Sequence, residues 1–468
     1  MRTHIPLIAA SVLAGLVLAG PALARDDGEA AHCAGYAARL EKPLGDPTGV
    51  RAYRDWALFL DGYNPIPFSP AAVSGEVARR CGDEAERPDT LNFLEHFLAA
   101  TGDLEAAEAI ARDQRASSPS NASLETLARL RLRRGDEAGA LALVRPVAPV
   151  ELSDERVLAE LYDGLGRELV SDADPSAALQ LMRKGEAHWR ALANIDPDLR
   201  IQAGLVRAIS QQGAPLERLG ESHAGAEAYG RAAALFEIQR AHPLDRFDAQ
   251  SLSAGLTILY ASQVRAYAAA GERAASVDAS AKASALVAGE VFAPPGSGLD
   301  GQIATGRWAS DPTAGSTAEA FRQIGADLVK VGAPDAALPF LRFVAAFRAQ
   351  AAQAQGRAYE GRERIRVAEA QRLAGRADEA LMTMNDALRL LRVPAPDAMP
   401  GVVRWNVADG LLEKGLDLDA LGRGAEACAA FRDARTTYSD KPTHYPVTDP
   451  MLTRLDEAVA RPACAEPR

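Results

Sequence analysis

Residues 362–394 read RERIRVAEAQRLAGRADEALMTMNDALRLLRVP, and this stretch decides the fold. In its second half Ala380, Leu381, Met384, Ala387, Leu388 and Leu391 fall at the spacing that gathers side chains on one face of a helix. Ile365, Ala368 and Leu373 form a shorter pattern of the same kind ahead of it. The segment from Gly375 to Asp378 supplies a turn between the two, and Pro394 stops the second helix. A helix pair of this size cannot bury its apolar faces alone, so it needs copies of itself on either side.

The chain supplies the copies. Gly415, Gly422, Ala427, Phe431 and Ala434 repeat the pattern in GLDLDALGRGAEACAAFRDA. Gly102, Ala107, Ala111 and Pro119 do so near the start, followed by Gly135 with Ala140 and by Gly332 with Ala337 and Leu341. A further helix pair turns at Gly271. With Ala368, Gly375, Ala380, Met384 and Ala387, these residues stand where a tetratricopeptide repeat has a small residue in its first helix, Gly at its turn and Ala early in its second helix. The unit therefore resembles that family. Gly102 and Gly135 lie 33 positions apart, close to the family period of about 34 residues. Gly375 and Gly422 lie 47 apart, so those helices are longer or carry an insertion. The resemblance implies an all-α solenoid of helix hairpins with helical caps at both ends.

Composition agrees with stacked helices. Of 468 residues 48% are hydrophobic but only 6% aromatic, and abundant Ala permits close helix approach. A solenoid also escapes the size limit on a single core, because each repeat touches only its neighbours. Residues 1–24 read as a signal peptide: Arg2, an apolar run from Ile5 to Leu18, then Ala22-Leu23-Ala24. The run is short for a bilayer span, which needs about 20 apolar residues, and no later stretch is apolar enough to span a membrane. Composition looks bacterial, so the expected location is periplasmic or secreted. Formal charge is −11, and removing residues 1–24 takes away Arg2 and no acid, giving −12. Such a surface argues against nucleic acid as the main partner.

The cysteines are Cys33, Cys81, Cys428 and Cys464, one pair near each end. In an exported chain an even count suggests disulfides. Pairing Cys33 with Cys81 and Cys428 with Cys464 would tie each terminus to its nearest repeat, each closed loop stabilising by about 4 kcal/mol. Buried free thiols are the alternative.

The resulting organisation is a signal peptide (1–24), an N-terminal helical cap (25–88), repeats (89–290), a Gly/Pro-rich loop (291–316), repeats again (317–443) and a C-terminal cap helix and tail (444–468). The cap region concentrates Tyr53, Trp56, Phe59, Tyr63 and Phe68, read as a core covering the first repeat or as a partner-binding patch. Pro294, Pro295, Gly296, Gly298, Gly301, Gly306 and Pro312 rule out a helix through the loop, which is read as either functional or mobile.

No convergent catalytic set is visible. Gly296, Gly298 and Gly301 match a GxGxxG pattern, but no strand precedes them. The seven histidines show no HExxH, and no GxSxG or CxxC occurs, so neither a metal nor a cofactor is expected. Acid pairs such as Asp417 and Asp419 read as surface chemistry. In the tetratricopeptide family, positions two, five, nine and twelve of a repeat tend to line a concave groove. Counted back from Gly375 these are Arg362, Ile365, Glu369 and Arg372; counted from Gly422 they are Asp409, Leu412, Leu416 and Asp419. The resemblance thus implies a non-catalytic scaffold with a protein or peptide partner in that groove. A cell-envelope enzyme, or a glycan or small-ligand binder with a site at 291–316, is the alternative; Trp56, Trp189, Trp308 and Trp405 are the candidate stacking surfaces.

Overall fold

A computed structural model of the chain describes residues 26–40, 70–117, 120–149, 152–169, 174–195, 198–241, 246–288, 314–355, 358–392, 400–439, 450–461 and 464. Residues 1–24, the aromatic group from Tyr53 to Phe68, and the loop as far as residue 313 therefore lie outside the described residues. Among the described residues every regular element is a helix, and within each compact unit most consecutive helices pack as neighbours. The architecture is an all-α solenoid of tetratricopeptide-like hairpins. It divides into two compact units, Met1–Glu151 with Ser171–Asp174, and Leu152–Val170 with Pro175–Arg468.

The first unit holds α1 (Asp26–Ala37), α2 (Pro70–Cys81), α3 (Arg87–Ala100), α4 (Leu104–Ser117), α5 (Asn121–Arg133) and α6 (Glu137–Val144). Cys33 on α1 and Cys81 on α2 are within bonding distance, with Cα atoms 5.5 Å apart. Tyr36, Leu40 and Val73 share one buried cluster with Phe93, Phe97 and Ile110 of the α3–α4 hairpin. The apolar end of that hairpin is thereby covered, as a terminal repeat requires.

The second unit runs through α7 (Asp154–Leu169), α8 (Pro175–Ile195), α9 (Leu199–Ser210), the short α10 (Gly213–Arg218) and α11 (Ser222–Arg240). Four hairpins follow. They are α12 (Arg246–Ala269) with α13 (Arg273–Ala288), α14 (Ala314–Lys330) with α15 (Pro334–Gln355), α16 (Ala358–Leu373) with α17 (Ala377–Leu391), and α18 (Pro400–Ala420) with α19 (Gly424–Ser439). The last helix, α20 (Pro450–Val459), packs on α19 and α18, and Cys428 pairs with Cys464 with Cα atoms 5.2 Å apart. α14 opens at Ala314, three residues inside the expected loop, because buried Ala314 and Ala318 stand one turn apart and belong to one core cluster.

One turn is used throughout. Gly102, Gly135, Gly220, Gly271, Gly332, Gly375 and Gly422 all have φ between 71° and 90°. At Gly375 the glycine N–H donates to the Arg372 carbonyl (2.9 Å) and the next N–H donates to the Gln371 carbonyl (2.8 Å). The same two bonds recur at the other six glycines. This is the left-handed helix cap that satisfies orphan carbonyls, and a side chain there would strain the backbone. Gly220 was not evident in the sequence.

Five residues beyond each turn glycine the chain places a small, buried residue: Ala107, Ala140, Gly225, Ser276, Ala337, Ala380 and Ala427. Nine residues beyond it the size varies, and the first helix compensates. Phe431 and Leu341 sit against Gly415 and Gly325, where a Cβ would collide with them. These two hairpin seams are thus closed by volume complementarity.

Candidate functional site

The groove residues expected on α16 meet different fates. Ile365 is buried among Leu388, Leu391, Leu411 and Leu412, so it belongs to the core and presents nothing to a ligand. Arg362 is half-buried, with its guanidinium carbon 5.7 Å from the centroid of Trp405. Glu369 is half-buried. The Arg372 side chain is only 17% exposed: its Nη2 donates to Glu413 Oε2 at 2.8 Å, and its Nε lies 3.2 Å from Asp417 Oδ1.

These contacts come from α18, where Asp409, Glu413 and Asp417 stand four residues apart and therefore on one face. The Asp417 side chain is fully buried, and both its oxygens lack an aligned donor among the described residues. The reading of Asp417 as surface chemistry is therefore corrected. Only Asp419 is exposed, and it pairs with Arg461. Arg454 of α20 closes the group by donating to Glu413 Oε1, with its other terminal nitrogen 3.9 Å from Asp409 Oδ1. Four carboxyl groups thus face two close guanidiniums. Burial first, and then the Arg372 and Glu413 charges acting in opposite directions, set the Asp417 carboxyl at about 7. Burial and Glu413 push Asp409 up to about 6, and the same two causes raise Glu369. This face is an internal polar seam covered by later helices.

The open surface lies two hairpins earlier. α12 and α14, the first helices of consecutive hairpins, pack side by side and leave a cleft of about 510 Å³ between them. Ile258, Ser262 and Arg265 form one wall; Ser316, Glu319 and Gln323 form the other. Ile258 exposes nearly half its surface to solvent. Arg265 is held in place, its Nη2 donating to Glu217 Oε1 (2.8 Å) and to the Tyr229 hydroxyl (3.1 Å) and its Nε to Glu217 Oε2 (3.1 Å). Gln323 donates to Asp327 Oδ2 at 2.8 Å, an acid whose carboxyl burial holds above its ordinary value. An apolar side chain, small residues and fixed polar groups in one cleft form a surface able to take an extended segment of another chain.

Apart from Ser316, at the end of the loop expected at 291–316, none of these residues was singled out from the sequence, yet a signal existed. The count that leads from Gly375 to Arg362 leads from Gly271 to Ile258 and from Gly332 to Glu319. The count that leads to Glu369 leads from Gly271 to Arg265. Ile258 and Glu319, the positions equivalent to Arg362 in these two hairpins, thus line one cleft. Of the tryptophans, Trp189 is buried and Trp405 packs against the core, while Trp56 and Trp308 lie outside the described residues. Among the described residues no group of His, Cys, Asp or Glu has metal-ligand geometry, and no helix is long and apolar enough to cross a membrane.

No family model matches the sequence, and no curated protein does. Solved structures with tetratricopeptide repeats are similar at low identity. A signal-transduction ATPase with a tetratricopeptide repeat sensor from Pyrococcus horikoshii is 9% identical, with 86% of this chain and 63% of that one covered and a TM-score of 0.40. BtubC from P. vanneervenii is 15% identical over 59% of this chain and 96% of its own, with a TM-score of 0.38. A tetratricopeptide repeat protein from Parabacteroides merdae is 10% identical over 79% and 98%, with a TM-score of 0.26. The chain is a tetratricopeptide-like helical-repeat protein by the turns and seams described above.

Proposed function

We propose that this chain is a non-catalytic interaction scaffold, exported to a periplasmic or extracellular space, that holds a peptide or protein segment across the first helices of its hairpins. The observation that carries this reading is that equivalent first-helix positions of two consecutive hairpins, Ile258 and Glu319, line one cleft between α12 and α14. The described cleft walls contain no aromatic ring, so they offer no stacking surface for a sugar, and a peptide is the better fit. Export is supported by the signal-like residues 1–24 and by the two cysteine pairs, which persist in oxidising compartments.

The test fills the cleft. Peptides selected by display on the wild-type chain are titrated calorimetrically against Ser316→Trp, a change at an exposed position of α14. Loss of binding at an unchanged Tm supports the reading; undiminished binding overturns it. N-terminal sequencing of the exported protein is expected to begin at Arg25, and an intact Met1 in a membrane fraction would refute the cleavage.

A further inference from the structure

A second surface, in the first unit, points to a different ligand chemistry. Glu108 on α4 is almost wholly buried, its side chain 3% exposed, and three arginines converge on it. Arg112 Nη2 donates to Oε1 at 2.7 Å, Arg131 Nε to the same oxygen at 3.3 Å, and Arg134 Nη1 to Oε2 at 2.5 Å. The three arginines and Glu108 together carry a formal charge of +2, which Asp113 beside Arg112 partly offsets, within a chain whose formal charge is −11. Arg131 spends a further donor on the Gly139 carbonyl at 3.2 Å. Arg112 and Arg134 have no other acceptor among the described residues, although the Asp113 charge also acts on Arg112.

These two side chains are 56% and 46% exposed, so their remaining N–H groups face water. They are also held in place: Arg112 reaches Glu108 along one turn of α4, and Arg134 caps α5 beside the fixed turn at Gly135. Guanidiniums already immobilised on a buried acid lose little freedom when they accept a second anion. We infer that Arg112 and Arg134, anchored by Glu108 and supported by Arg131, form a docking patch for an acidic peptide. Because they sit on opposite oxygens of one carboxylate, the spare charge is divided, which suits two carboxylates along a chain better than one compact dianion. The patch is independent of the α12–α14 cleft, and its test does not involve that cleft.

The experiment is fluorescence anisotropy with a labelled Glu-Gly repeat peptide on the full chain, with a Gln-Gly peptide as control and inorganic phosphate as competitor. The Glu-Gly peptide should bind, weaken with added salt, and lose about tenfold in affinity in Arg112→Gln/Arg134→Gln. The decisive variant is Glu108→Gln. Removing the internal carboxylate frees the guanidiniums that it holds, so binding should weaken severalfold although the formal positive charge rises; tightening instead would overturn the anchoring role given to Glu108. A purely structural cluster gives equal peptide binding in wild type and both variants, and that result overturns the proposal. Phosphate displacing the peptide while the peptide shows no salt-dependent affinity of its own would overturn the carboxylate assignment. Should the double variant fail to fold, the direction of the Glu108→Gln change alone decides.

Discussion

Two regions of this protein bury carboxylates in opposite ways. Around Glu108 three guanidiniums serve one acid; around Asp417 four carboxyl groups share two close guanidiniums. Burial pushes the Glu108 carboxyl up, but hydrogen bonds from Arg112 and Arg134 outweigh it, and the group stays below its ordinary value. At Asp417 burial prevails. The comparison teaches that burial alone does not fix the state of an acid; the ratio of nearby cations to anions does. One fold can therefore hold one acid charged and another close to neutral.

The sharpest break in that symmetry is expected on removing one arginine from the poorer region. Arg372→Ala leaves Glu413 and Asp417 buried with Arg454 alone, and should destabilise by about 3 kcal/mol in chemical denaturation at pH 8. The loss should shrink near pH 5, where Asp417 takes up a proton. A small loss at both pH values would mean that water reaches Asp417.

Next in size is pH dependence itself. Asp409 and Asp417 have pKa values raised on folding, so their contribution is complete below the ordinary carboxyl value and is lost as pH rises through about 6 and about 7 respectively. Helix α18 should then be better protected from hydrogen exchange at pH 5 than at pH 8, after correction for intrinsic rates. Asp417→Asn should flatten this difference. Glu108 has a lowered value, so its contribution is present above the ordinary carboxyl value and lost as pH falls through the folded one. Protection of α4 should fall in acid, and Glu108→Gln should remove that fall. Parallel pH profiles in the two helices would dissolve the contrast.

Smaller still is the effect of one arginine in the richer region. Arg112→Ala leaves two donors on Glu108 and should cost under about 1 kcal/mol. The same denaturation assay compares it directly with Arg372→Ala. The smallest effect expected is that of Arg362→Ala, which removes a cation over the Trp405 ring and should cost about 0.5 kcal/mol while shifting the indole fluorescence.

The fold was legible because its signals are local. A turn glycine and a small residue five positions later lie within one short window, and the cysteines fall into one pair near each end. Gly220 escaped notice because the small residue after it is Gly225, and the helix ahead of it, Gly213–Arg218, is too short to show a period. The candidate site was less legible. The count from Gly375 marks a helix face but not what later covers it: Arg372 meets α18, and Arg454 arrives from α20, 82 positions further on. Ile365 shows the same gap, because a groove position and a core position differ only in what packs above them. The cleft joins Ile258 to Glu319 across 61 positions, a pairing that no short window contains.

The bond between Cys428 and Cys464 has a mechanical consequence. Repeat arrays fray from their ends, and a terminal helix such as α20 is ordinarily the first to peel away. Tension applied to the chain beyond Cys464 passes through the sulfur bridge into α19 and bypasses Pro450–Val459 altogether. The terminal helix carries no load while the bridge is intact. A pulling device, whether an optical trap or an unfolding ATPase, would meet the α18–α19 hairpin as its first resistance, and a reductant would move that first resistance outward to α20.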